Sequence, residues 1–259
     1  MREPKLACQP DSLLPGSVRQ AHRDGVSVLP RHLARGLDVR LGQEVTAIEE
    51  DGPRLRLRLA GAGALEAGLV VLAGSVTESL ALLEPLVAGW PGAPARLERV
   101  RAVPFVSTLT VMAGYGDAPP PDFDAWFPFE ATMLHAIGND SSKRSPGAEL
   151  VLVLQARPLF SLEHLDRPPE EWARELVWEA GELLGPWAGR PRWSLSHAWR
   201  TARVLPRDVL GEAFLFERDP GADGPRVAVV GDAFAREAGV EAAHASGVAM
   251  AGRIASLAG

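Results

Sequence analysis

The stretch VAVVGDAFAREAGVEAAHASGVAMAGRI, residues 227 to 254, constrains the fold more than any other part of the chain. It reads as an apolar strand, a Gly-Asp turn, a short loop and a Gly-opened helix rich in small residues. A short strand with no polar alternation is of the buried type. Gly231 lets the backbone approach a ligand, and Asp232 presents an acceptor suited to sugar hydroxyls. Gly239 opens a helix whose first N–H groups, near Glu241 to Ala243, point outward at the positive end of the dipole. Such an end stabilises negative charge. Ala242, Ala243, Ala245, Ser246 and Gly247 keep that helix thin enough for a planar ring to lie against it. The same residues equally serve a strand, turn and helix that simply pack closely.

The remaining sequence supplies the other layers. A helix is expected over residues 26 to 35, ended by Gly36 as a left-handed cap. Residues 37 to 73 read as a β-meander: Val45, Ala47 and Glu49 alternate with Thr46, Ile48 and Glu50, Asp51-Gly52 turns the chain, and Leu55, Leu57 and Leu59 alternate with arginines. The meander closes on LVVLA, a second strand of the buried type. A helix follows from about Thr77 to Val87, then an extended segment over 100 to 113. Strands are expected near 129 to 137 and 149 to 155, joined by the polar loop GNDSSKRSPG. Pro168 and Pro169 open a helix that gathers Trp172, Leu176, Leu183 and Leu184 on one face. Further strands fall near 192 to 200, 211 to 217 and 226 to 230. Hairpins mixed with a few buried strands define an α+β or mixed α/β class. Residues 1 to 25, with Pro4, Pro10, Pro15 and Gly16, read as a loop or tail.

Composition narrows the partners. At 259 residues the chain builds one large domain or two intertwined lobes. A net charge of -6 gives no reason to expect nucleic acid or an anionic membrane. The one cysteine, Cys8, excludes an intrachain disulfide and a thiolate metal cluster. No apolar run reaches the roughly 20 residues a spanning helix needs, and no secretory signal opens the chain, so a cytoplasmic location is expected. The six histidines share no ligand spacing, and no metal site is expected.

The segment order is a helix with GLDVRLGQEVTAIE, a meander ending LVVLAG, then LHAIGNDSSKR, ELVLVLQARPLFSLEHL, SLSHAWRTARV and VAVVGDAF…GVEAAHASG. That order resembles the NAD(P)/FAD-dependent amine-oxidase-like flavoproteins, and within them the renalase-like branch, over roughly residues 25 to 257. The resemblance implies an incomplete FAD-binding lobe over 26–75 and 226–259, and an antiparallel-sheet substrate lobe over 76–225 that covers the flavin face. It implies FAD as cofactor, with Gly231 and Asp232 at the ribityl-phosphate part. Gly239, Val240, Glu241 and Ala242 then lie under the isoalloxazine, Val45 at the adenosine end, and Ala73 with Gly74 at the crossing between lobes. Hydride transfer from a small amine or reduced-nicotinamide-like substrate requires no acid–base pair, and no catalytic residue is assigned.

Two departures accompany the resemblance. The N-terminal strand, G-x-G-x-x-G turn and helix that seat the pyrophosphate are absent from this sequence. Gly61-Ala62-Gly63 does not replace them, because it sits in a hairpin turn and precedes a strand. Gly74-Ser75 stands where a Pro-containing turn is usual. The expectation is therefore a flavin oxidoreductase or the larger part of one, which self-associates or takes its dinucleotide-binding unit from a partner chain. The alternative is a non-catalytic binding or regulatory descendant that keeps the fold without FAD. Candidate substrate-lobe residues are His135 and Asn139, and His197 and Trp199 on one strand. For each pair an ordinary structural role fits the pattern as well.

Overall fold

The computed structural model describes residues 6–7, 21–61, 63–145, 147–218, 226–234 and 239–258. Most of the expected tail at 1–25, including Cys8, lies outside them. In chain order the elements are β1 (Leu6–Ala7), α1 (Val28–Leu33), β2 (Val45–Asp51), β3 (Arg54–Leu59), β4 (Ala64–Ala67), β5 (Leu69–Leu72), α2 (Val76–Val87), α3 (Ala93–Arg101) and β6 (Phe105–Gly114). They continue with β7 (Ala125–Trp126), β8 (Leu134–Asn139), β9 (Val151–Ala156), α4 (Pro158–His164), α5 (Pro169–Leu184), β10 (Trp193–Val204), β11 (Leu215–Arg218), β12 (Arg226–Val229) and α6 (Val240–Ala258). This is the mixed α/β class with antiparallel sheets that the sequence patterning indicates.

Two compact units emerge. One comprises Met1–Val39 with Ser107–Arg200, the other Arg40–Val106 with Thr201–Gly259. Residues 76–106 and 201–218, grouped with the substrate lobe on sequence grounds, fall in the second unit, and residues 26–39, grouped with the cofactor lobe, fall in the first. The reason is packing: Leu80, Leu83, Val87, Leu97 and Val100 of α2 and α3 share one core with Ile48, Leu55, Val227 and Val229.

In the second unit β2, β3 and β4 form the expected antiparallel meander, but β5 leaves it and pairs in parallel with β12, in a sheet ordered β11-β12-β5. Val227 and Val229 enter the α2-side core, while Ala228 and Val230 meet Met250 and Ile254 of α6. β12 is thus covered on both faces, which is why it lacks polar alternation. β5 is less buried than its composition indicated, since Val71 is 40% exposed. α2 starts at a capping box in which Ser75 Oγ accepts from Glu78 N–H and the Glu78 carboxylate accepts from Ser75 N–H. α3, unsigned in the sequence, opens with Pro94 in its first turn after Gly92 at φ 76°.

The first unit is a six-stranded sheet, ordered β1-β7-β8-β9-β6-β10, with α5 against one face. Leu109, Val111, Leu134, Ile137, Leu152 and Leu154 meet Trp172, Leu176 and Ala180 in its core. The expected strand at 129–137 begins only at Leu134, because residues 132 to 134 are turned to a buried carboxylate. Glu179 of α5, 6% exposed, accepts from the N–H groups of Thr132 (2.7 Å), Met133 (3.0 Å) and Leu134 (2.6 Å) and from the Thr132 hydroxyl (2.8 Å). Tyr115 donates to Ala188 C=O at 2.7 Å, and burial pushes its phenol up to about 12.

Glu179→Ala leaves the buried Leu134 N–H and the part-buried Thr132 and Met133 N–H groups without their acceptor, at about 1–3 kcal/mol for a fully buried donor and less for the others. The expected loss is about 2 kcal/mol or more in urea unfolding of the purified chain, with Glu179→Gln losing less. A loss below about 1 kcal/mol would show that these bonds do not hold β8 in place.

Candidate functional site

The parallel register Val229↔Leu72, continued by Val230 N–H to Leu72 C=O at 3.0 Å, ends β5 and β12 side by side. Ala73-Gly74 and Gly231-Asp232 therefore leave the sheet together at its carboxyl edge. That edge is where open α/β sheets bind ligands. The turn is pinned from behind. Phe234 N–H donates to Gly231 C=O at 3.2 Å, Leu210 N–H to Ala233 C=O at 3.0 Å, and Ala233 and Phe234 are fully buried. Asp232 stands half-buried at the tip, and among the described residues its carboxylate has no hydrogen-bond or ion-pair partner.

α6 packs against the end of β12. Gly239 adopts φ 107°, a left-handed conformation that favours glycine, and its carbonyl accepts from Ala243 N–H at 3.0 Å. The amides a helix start leaves without an intrahelical carbonyl are thus those of Val240, Glu241 and Ala242, one residue earlier than the spacing indicated. Val240 is exposed, whereas Ala242, Ser246 and Met250 form the buried face. Ser246 Oγ accepts from Gly231 N–H at 3.2 Å and ties the helix to the strand end. That amide is consequently not directed at a ligand, although a Cβ built at Gly231 meets nothing within 4 Å. Open space at Gly231, an unpartnered carboxylate beside it and a helix start fit the ribityl and ring side of a flavin. Val45 is placed elsewhere: it pairs with Leu59 in the meander sheet and packs partly buried on the core.

Among the described residues, one face of the sheet in the other unit carries no helix. β10 runs antiparallel to β6, since Arg192 N–H donates to Gly114 C=O at 2.8 Å and the Ser107 hydroxyl to Arg200 C=O at 2.7 Å. Ser194 and Ser196 face the α5 side, so Trp193, Leu195, His197 and Trp199 alternate onto the open face. His197 and Trp199 lie 4.2 Å apart between ring centroids, both exposed. Trp193 lies across Gly114, where a Cβ would come within 2.1 Å of the indole, and its Nε1 donates to Glu149 at 3.0 Å. Met112 and Val153 are paired on this face. His135 packs edge-on to Phe127 at 5.9 Å. Asn139 turns the other way: its Oδ1 accepts from Ser141 Oγ and Ser142 N–H, and its amide nitrogen donates to Phe123 C=O. It caps the 140–143 turn.

The cofactor-side candidates thus lie in one unit and the substrate-side candidates in the other. The sequence pattern does not single out Trp193 or Met112, and it marks Ser246 only as a small residue that keeps α6 thin. A glycine inside a strand, Gly114, was the available signal for Trp193, because it marks a close approach. Among the described residues no cluster of His, Cys, Asp and Glu fits a metal, and no helix is long and apolar enough to cross a membrane.

The flavin containing amine oxidoreductase family matches residues 6–255, and the chain belongs to it. No curated protein is similar enough to match. Similar solved structures include a putative protoporphyrinogen oxidase from Exiguobacterium sp. 255-15 (18% identity, TM-score 0.63, covering 90% of this chain and 51% of that one). Cyclohexylamine oxidase from Brevibacterium oxydans IH-35A is similar at 17% identity and TM-score 0.56, covering 86% of this chain and 50% of that one. A putrescine oxidase bound to putrescine has 16% identity and TM-score 0.51, covering 67% of this chain and 38% of that one. The chain spans about half the length of the first two and less of the third.

Gly114→Ala places a methyl group where the Trp193 indole lies. The indole is expected to leave the sheet, which breaks its bond to Glu149 and shifts tryptophan emission to the red while the melting temperature moves by only a few degrees. Emission identical to the parent's would refute the crossing of Trp193 over Gly114.

Proposed function

We propose that this chain forms the greater part of a flavin-dependent oxidoreductase of the renalase-like type, with FAD seated at the carboxyl edge of β5 and β12. The observation that carries the reading is the Gly231-Asp232 turn, with open space beside Gly231 and Ser246 of α6 bonded to its backbone. Family membership supports FAD as the group held there. Bound flavin supplies the two-electron acceptor for a hydride from a small amine or reduced-nicotinamide-like substrate. The chain's own part is positional. Asp232 accepts from a ribityl hydroxyl, the first amides of α6 face developing negative charge on the ring, and Ser246 holds that helix against the strand end.

The pyrophosphate-seating strand, Gly-rich turn and helix come, in this reading, from a segment outside the 259 residues or from a partner chain. The open edge of β5, the last strand of its sheet among the described residues, supports a parallel strand docking there. Exposed Val71 on β5, and Leu37 and Leu41 before the meander, support apolar cover in that unassigned part.

A chain that holds the ribityl and ring side without a pyrophosphate loop has little use for the AMP half of FAD. Riboflavin and FAD are therefore expected to bind this chain weakly and within about tenfold of each other by flavin fluorescence titration, since the missing charge-assisted bonds are worth about 1.5–3 kcal/mol each. FAD binding more than about a hundredfold tighter than riboflavin would overturn the division of the site.

Asp232→Ala separates cofactor binding from structure. Removing an acceptor from a ribityl hydroxyl costs about 1–3 kcal/mol, or about 5- to 150-fold in riboflavin affinity, with the melting temperature nearly unchanged. A lower melting temperature with unaltered riboflavin binding removes Asp232 from the site.

A further inference from the structure

Two strand glycines, Gly114 and Gly138, lie on the face of the six-stranded sheet opposite α5, and only the first has a packing reason to be glycine. Gly114 makes room for the Trp193 indole. Gly138 has no positive φ, and the bulge of β8 lies away from it, between Leu134 and Ala136. A Cβ built at Gly138 meets only the cross-strand neighbour Val153, at 3.8 Å and beyond, which is ordinary contact. Glycine inside a strand marks a bulge, a bend or a close approach. With the first two absent and no described residue above it, the space over Gly138 is left for a ligand.

Register sets what surrounds that space. Ala125 pairs with Gly138, Gly138 with Val153, and Val153 with Met112, so the four form one row across β7, β8, β9 and β6. At about 4.8 Å per strand the row is about 14 Å long, and it bears nothing larger than valine before Met112. β10 follows beyond β6, with exposed Leu195 and Trp199 on the same face. Between Phe105 and Trp199 no strand position of this face is Asp, Glu, Lys or Arg. Glu149, at the margin, is committed: it accepts from Trp193 Nε1 at 3.0 Å and from Gly116 N–H at 3.0 Å. An ammonium group brought onto the row would lose water without gaining a counter-charge. A flat apolar ring would lose nothing and cover the floor. We propose that this face receives a planar, uncharged ring system, with Gly138 letting the ring plane approach the backbone. In the flavin-dependent reading the ring belongs to the substrate, which selects the ring-bearing class over the small amine. The role as substrate rests on that reading, whereas binding to the face does not.

Ligand-observed NMR titration of the purified chain at neutral pH tests the site with two probes, quinoline, a neutral fused ring, and hexylamine, an ammonium ion. Quinoline is expected to bind at least about tenfold more tightly than hexylamine. Gly138→Leu stands a side chain on the floor without crowding the backbone, and Met112→Lys puts a charge at an exposed position of the row. Each folded variant is expected to weaken quinoline binding by at least about tenfold. Should Gly138→Leu fail to fold, Met112→Lys alone decides. Quinoline that fails to bind, that binds no better than hexylamine, or that binds unchanged in a folded variant overturns the proposal. A failure of the flavin reading shows instead in the riboflavin titration, which contains neither probe.

Discussion

The parallel bond between β5 and β12 is the constraint on which the candidate cofactor edge rests. Antiparallel neighbours join through a tight turn, whereas a parallel pair needs a crossover. Here everything from α2 to β11 intervenes between the two strands. Ala73-Gly74 and Gly231-Asp232 have no local reason to meet, and the entropy of closing so long a loop opposes their meeting. The shared core of α2, α3 and the valines of β12 supplies the compensating burial. Backbone pairing then aligns the two strand ends to a single residue, Val229 against Leu72.

The other unit solves a different problem with a charge. A carboxylate is normally costly inside a core, yet Glu179 lies there with both oxygens occupied by backbone donors of one short segment. It converts the irregular approach to β8 into satisfied backbone, so the strand can begin at Leu134 in register with β9. The open face depends on that register, because Gly138 and Val153 are paired on it.

Much of this was legible before any coordinates. The Asp51-Gly52 turn, the alternation on either side of it, the proline-opened α5 and the unalternating VAVV each state a local rule that the fold obeys. The strand–turn–helix from β12 to α6 was readable because its constraint is local: buried strand, glycine, small-residue helix. Partners in space were less legible. β5 looks like the last strand of the meander by adjacency, and only the far β12 shows why it is not. α3 has a low apolar content and one proline near its start, so its pattern carries little signal. The capping role of Asn139 and the grip of Ser246 on Gly231 are single hydrogen bonds between residues whose types fit many roles. Such bonds leave no periodicity to read.

The indole of Trp193 lying over Gly114 has a consequence for how this surface changes over generations. Relief on a β-sheet usually follows the pleat, and altering it means altering strands that also carry the core. Here part of the floor is a detachable tile, anchored by one hydrogen bond to Glu149 at the sheet margin. Exchanging the tile for a smaller or more polar side chain reshapes the floor while Leu109, Val111 and Ala113 on the reverse side keep their packing. The novelty of such a surface and the stability of the sheet beneath it are inherited separately.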